Sequence, residues 1–170
     1  MPNCLAQFCS AALLAFALAV GSPIASVHAE GANPVAAANT AGVIAVPSGY
    51  GMIETVERLK KDIAAKGILY FGEVDQGGLA AVSGVPGVKP SVLLMFGNPP
   101  LGTQFVGGHQ QAGLDWPVRM LVYLEAPGRV MIAWTDFDWI ARRHGLTGLD
   151  AQLKMANEVA ASIAAAAAKR

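Results

Sequence analysis

Apolar residues change period along this chain, and each change marks an element. The β-branched run 43–46 is a first strand, ended by Pro47, Ser48 and Gly49. Met52, Val56, Leu59 and Ile63 then repeat at helical spacing while Glu57, Lys60, Lys61 and Asp62 fall elsewhere, which predicts a helix over 52–65 closed by Gly67. ILYFGEV, 68–74, reads as a second strand. Asp75-Gln76-Gly77-Gly78 turns the chain into one or two helical turns at 79–83, and 85–90 is loop. The segment 92–96 is apolar without alternation, which predicts a strand covered on both faces and central in its sheet.

Strands at 118–124 and 130–135 flank Glu125-Ala126-Pro127-Gly128-Arg129, whose Pro and Gly sit where a β-turn wants them, so the pair is expected as a hairpin. Two helices follow, one over 137–143 with Thr135 or Asp136 as its cap, and one over 149–167 opened by Thr147-Gly148-Leu149-Asp150 in the manner of a capping box. Leu149, Leu153, Ala156, Ala160 and Ile163 form the apolar stripe of the second. Strands with helices inserted between and after them imply a two-layer α+β domain, a mixed, mostly antiparallel sheet of about five strands against helices.

Composition changes this picture first at the N-terminus. The first charged residue is Glu30, and the apolar run AALLAFALAV at 11–20 is too short to cross a bilayer, which takes about 20 residues. Val27-His28-Ala29 puts small residues where a secretory peptidase requires them, so 1–29 is expected to be a signal peptide cleaved near Ala29, although no Lys or Arg precedes the apolar run. The product would be periplasmic or secreted. Residues 30–42 are Ala-rich and aperiodic and read as a flexible leader before a single domain over 43–170. Cys4 and Cys9 both fall within the signal, which leaves the mature chain without disulfides, thiolate nucleophiles or thiolate metal sites.

Lys and Arg number 12, as do Asp and Glu, and no block of like charge appears; nucleic acid and, after signal cleavage, a membrane surface are therefore not expected partners. No Gly-x-Ser-x-Gly elbow, dinucleotide fingerprint or phosphate loop is present. Neither His109 nor His144 has a partner at a recognised metal spacing, so no metal and no cofactor are expected. His144, beside Arg142 and Arg143 at a helix end, suits a capping or surface role favoured by the helix dipole. His109, in GGHQQAG, reads as a solvated loop residue, with a ligand contact or general base as the alternative. The Met residues and Trp134 and Trp139 fall on predicted core positions.

The order Thr55-Val56-xx-Leu59, Gly67, Val74-Asp75, Ala80, Gly84, Phe96-Gly97-Asn98-Pro99 and Leu114-Asp115-Trp116-Pro117 resembles the domain of unknown function 302 family over a core of 43–146. The resemblance implies a compact α+β fold, often dimeric, found in bacteria and archaea, with no established activity. Gln76 stands where the family commonly has His, so no imidazole role is expected there.

The Gly97-Asn98-Pro99 corner admits two readings. Asn98 caps a helix and Pro99 occupies its first position, which makes the corner a joint. As a helix start it would otherwise be an anion cradle, but Pro99 and Pro100 remove two of the amides an anion needs. Two functions from different classes follow. The first is a non-catalytic exported module that binds a small ligand or a protein partner, itself included as a homodimer, with Asn98, Asp75 and Trp116 as ligand contacts. The second is an enzyme of unrecognised type, with Asp75, His109 and Asp115 as acid, base and orienting groups around the Asn98 corner.

Overall fold

The computed structural model describes residues 36–168; the expected signal peptide and the first part of the Ala-rich leader lie outside the described residues. In chain order the elements are β1 (Val43–Pro47), α1 (Met52–Ala65), β2 (Leu69–Asp75), α2 (Gln76–Val82), β3 (Ser91–Gly97), α3 (Pro99–Gly108), a 3-10 turn (Gln110–Asp115), β4 (Val118–Ala126), β5 (Arg129–Thr135), α4 (Phe137–His144) and α5 (Asp150–Ala168). The strands form one sheet in the order β1-β5-β4-β3-β2. Every pairing is antiparallel, so the sheet has no parallel pair.

One sheet face carries Ile44, Leu94, Phe96, Met120, Val122, Ile132 and Trp134 into a core shared with Val56, Leu59 and Ile63 of α1 and Leu153, Ala156, Ala160 and Ile163 of α5. The helical spacing anticipated for both helices is therefore what buries them, and each large side chain so placed contributes about 1.5–3 kcal/mol. The buried Thr55 hydroxyl lies 2.7 Å from Ser48 Oγ, which donates to the Ala167 carbonyl at 3.0 Å. This ties the end of β1 to both helices without leaving a buried hydroxyl unpaired.

The sheet centre differs from the expectation. β4 is central and β3 lies between β4 and β2. The apolar run of β3 does not mean helices on both faces: Leu94 and Phe96 are buried, while Leu93 and Met95 on the opposite face are only partly covered. Strand neighbours supply that cover, since Leu93 stands beside Leu121 and Leu121 beside Ala133. α2 also starts earlier than expected, at Gln76, because the Asp75 carboxylate caps it by accepting from the Gly78 amide at 2.8 Å. Ahead of β1, Asn39 Oδ1 accepts from the amides of Ala41 and Val43, and Ala36 and Ala38 lie against the core, so packing begins before residue 43.

Candidate functional site

The 3-10 turn ends on Asp115, and β4 begins shortly after with Arg119 pointing to the face away from α1 and α5. From the other side, the last turn of α4 brings in Arg143 and His144, and Gly145 stops the helix in the left-handed conformation (φ 63°). These elements converge on one carboxylate. Arg119 donates to Asp115 Oδ1 at 2.7 Å, Arg143 Nη1 donates to both oxygens at 3.1 and 3.3 Å, and His144 Nε2 lies 2.7 Å from Oδ2. The Asp115 side chain is 3% exposed and that of His144 5% exposed, against 45% and 44% for Arg119 and Arg143. A carboxylate offers only lone pairs, so Nε2 is the ring nitrogen that carries hydrogen.

His144 is thus not a surface cap. It occupies the last turn of α4 as expected but turns inward, where it meets the second oxygen of the buried Asp115 carboxylate at the same short range at which Arg119 meets the first. The ring of His109, which follows α3, lies with its centroid 6.4 Å from that of His144 at 29°. The two histidines share one end of the fold, His109 exposed and His144 buried.

Arg143 also lies over the Trp139 ring at 5.5 Å, a cation–π contact that fixes the guanidinium at the rim of the open sheet face. Trp139 in turn covers Gly42, where a Cβ would come 2.2 Å from the indole and where φ is +75°. Only glycine fits there. Together Val43, Leu93, Leu121, Ala133 and Trp139, with Asp115, Arg119 and Arg143, line a concavity of about 330 Å³. Its floor is apolar and its charged groups are gathered at one end.

The Gly97-Asn98-Pro99 corner has a different construction. Asn98 Oδ1 accepts from the Leu101 amide at 3.3 Å, with the prolines in the first turn of α3. The indole of Trp116 lies across the corner: a Cβ on Gly102 would come 1.7 Å from Trp116 Nε1, and one on Gly97 3.1 Å from it. Phe71 meets the same indole edge-on, with centroids 5.7 Å apart. Glycine at 97 and 102 therefore makes room for a packed tryptophan, and Asn98 caps α3 at this corner.

Of the residues singled out from the sequence, the structure brings Asp115 and His109 to one end of the molecule and sets Trp116 beside Asn98. It does not bring in Asp75, which pairs opposite Val92 at the start of β3 while Asn98 follows its end. Six residues of strand separate them, roughly 20 Å at about 3.3 Å per residue. Asp75 serves as the α2 cap. Arg119, Arg143 and His144 were missed as site residues. The available signal was Asp115 itself, a lone carboxylate between Leu114 and Trp116 in an apolar stretch. Among the described residues, no group of three or more His, Cys, Asp or Glu is placed to hold a metal ion.

A second polar cluster lies where α1 meets β2. The Tyr70 hydroxyl donates to Glu73 at 2.6 Å, and Lys60 lies 3.4 Å from the same carboxylate and 3.2 Å from Glu57. The Tyr70 hydrogen bond, assisted by Lys60, holds the Glu73 carboxyl below the usual range although burial opposes it. Burial first, then the bond to Glu73, pushes the Tyr70 phenol well above its ordinary value. Lys60 is raised as well, mainly by its bond to Glu57.

The family model described as "Domain of unknown function DUF302" matches residues 44–169. The chain is 34% identical over 113 residues to proteins named fluoride-specific ion channel FluC 1 from Brucella suis biovar 1 and from Brucella abortus biovar 1. The match covers 66% of this chain but 44% and 42% of those proteins, so the chain spans less than half the length of the curated relatives it matches. The fold is also similar to the crystal structure of an uncharacterized conserved DUF302 protein from Bacillus stearothermophilus, with a TM-score of 0.68 and 19% identity over 74% of this chain and 98% of that one.

Proposed function

This chain belongs to the DUF302 family, and from that premise we propose that it is an exported, non-catalytic module that binds a small ligand on the open face of its sheet. The observation that carries this reading is the concavity of about 330 Å³, apolar along its floor and charged at one end. A mostly apolar hollow with a few convergent polar groups is the usual form of a small-molecule site.

The Asp115–His144 pair favours the catalytic alternative, since a carboxylate that orients an imidazole is a recurrent device for general-base chemistry. Against it, the His144 side chain is 5% exposed and Asp115 is shared among its donors, so the pair suits holding the arginines better than meeting a substrate. No helix among the described residues is long and apolar enough to cross a membrane. We infer that the ion conduction named in the Brucella relatives belongs to the part of those proteins outside the match, with this domain as an accessory. Export rests on the signal peptide expected at 1–29, and self-association on Leu69 and Phe71, which edge strand β2 leaves half exposed.

Native mass spectrometry of the protein purified from its own host tests the whole reading. The expected spectrum shows a chain starting near Glu30 with a retained small molecule. An uncleaved signal peptide defeats the export reading, and turnover of a metabolite panel that is lost in Asp115→Asn defeats the non-catalytic one.

A further inference from the structure

We propose that the ligand of this concavity is a small amphipathic monoanion, a carboxylate on an unbranched or aromatic apolar body, held at its head by Arg119 and Arg143. The proposal rests on the small-ligand reading above and narrows it to a chemical class.

Charge gives the sign. The end of the concavity holds two guanidinium groups and a single carboxylate, so its lining carries a net positive charge. Asp115 takes one nitrogen from each arginine, Nη2 of Arg119 and Nη1 of Arg143. A guanidinium has five N–H donors in a fixed fork, so each retains donors, and both side chains reach solvent. Asp115 beneath both forks and the Trp139 ring beside Arg143 hold them in place, which lowers the ordering cost of gripping a planar oxyanion in two-point fashion.

The floor gives the body. Leu93, Leu121 and Ala133 stand opposite one another on β3, β4 and β5, and Ala45 on β1 continues the row. Adjacent strands are about 4.8 Å apart, so this row provides about 10–15 Å of apolar surface, and it passes beside Arg119, which stands two residues before Leu121 on the same face of β4. Inorganic phosphate would meet the charged end and leave that surface unused, whereas an apolar alcohol would cover the floor and leave the guanidinium groups unanswered. Only a molecule with both parts satisfies both.

The test is isothermal titration of the purified full chain with hexanoate, octanoate and decanoate, alongside octanol, octylamine and inorganic phosphate. Octanoate is expected to bind saturably and at least ten-fold more tightly than octanol, octylamine or phosphate. Affinity should rise roughly two- to four-fold per methylene along the acid series, as expected for methylenes partly or fully removed from water. Arg119→Gln and Arg143→Gln should each weaken octanoate at least five-fold. Leu93→Ser, a partly covered floor position that makes no contact with the Asp115 carboxylate, should flatten the chain-length dependence in a protein of unchanged circular dichroism. Equal binding of octanol, or octanoate affinity that survives both arginine substitutions, overturns the anion class while the ligand-binding reading stands. If no compound of the series binds and host-purified protein carries no small molecule, both fall.

Discussion

The Asp115 carboxylate and the His144 imidazole, separated by 29 positions in sequence, meet at 2.7 Å in a buried contact that closes α4 onto the end of the 3-10 turn before β4. Replacing the carboxylate by an amide keeps one acceptor oxygen but turns an NH2 toward donors that both oxygens now serve, and leaves two guanidinium groups mutually repelling. Asp115→Asn is therefore expected to cost about 1–3 kcal/mol, the range for orphaning a buried polar group, with the half-exposed arginines relaxing into solvent. Urea unfolding checks the value. In combination with His144→Gln, the double variant should lose less than the two singles summed, because contacting residues are coupled. Strict additivity would mean the pair is incidental.

Asn98 is expected to act as a cap and nothing more. Asn98→Ala should lower stability by about 0.5–2 kcal/mol, the usual loss for an N-cap, and Asn98→Asp should restore most of it while octanoate affinity stays unchanged in both. Loss of ligand binding at unchanged stability would reinstate the corner as a cradle.

Trp116 lies so close over α3 that Gly102 is required by space alone. Alanine is the better helix former by up to about 1 kcal/mol, yet its Cβ would fall 1.7 Å from Trp116 Nε1. Overpacking of this kind costs about 1–3 kcal/mol, so Gly102→Ala should be net destabilising in thermal melts. Trp116→Leu in the same chain should reverse the sign and expose the propensity gain. A Gly102→Ala protein as stable as the parent would show that the indole is free to move aside.

Local signals carried most of the fold. The periodicity of α1 and α5, the Pro-Gly turn of the β4–β5 hairpin and the cap at Asp136 follow from residues close in sequence, and so does the α+β class. What pattern could not supply was the order of strands. The apolar run of β3 looks central because Leu93 and Met95 are as apolar as Leu94 and Phe96, but their cover comes from neighbouring strands on an open face. The site was legible only in part for the same reason. Asp115 stood out as a lone carboxylate, and Arg119 lies only four residues on, at the start of β4, whereas Arg143 and His144 join it through the return of α4 across the sheet end, a long-range closure that no local spacing encodes.

The Tyr70–Glu73–Lys60 cluster makes stability depend on pH at both ends of the scale. Glu73 is depressed in the fold, so its contribution is complete above its ordinary value near 4.5 and is lost as pH falls through the lower folded value. Tyr70 and Lys60 are raised, so theirs are complete below about 10 and are lost as pH climbs beyond it. Because Glu73 and Lys60 are 41% and 32% exposed, the pair itself is worth no more than about 1 kcal/mol. The sharper readout is titration of the Glu73 carboxyl carbon by NMR. In Tyr70→Phe, which removes the largest cause of the shift, its midpoint should move up toward the ordinary carboxylate range, and the alkaline loss due to the phenol should vanish. A Glu73 midpoint unmoved by Tyr70→Phe would assign the depression to Lys60, and Lys60→Met would then have to produce the rise instead.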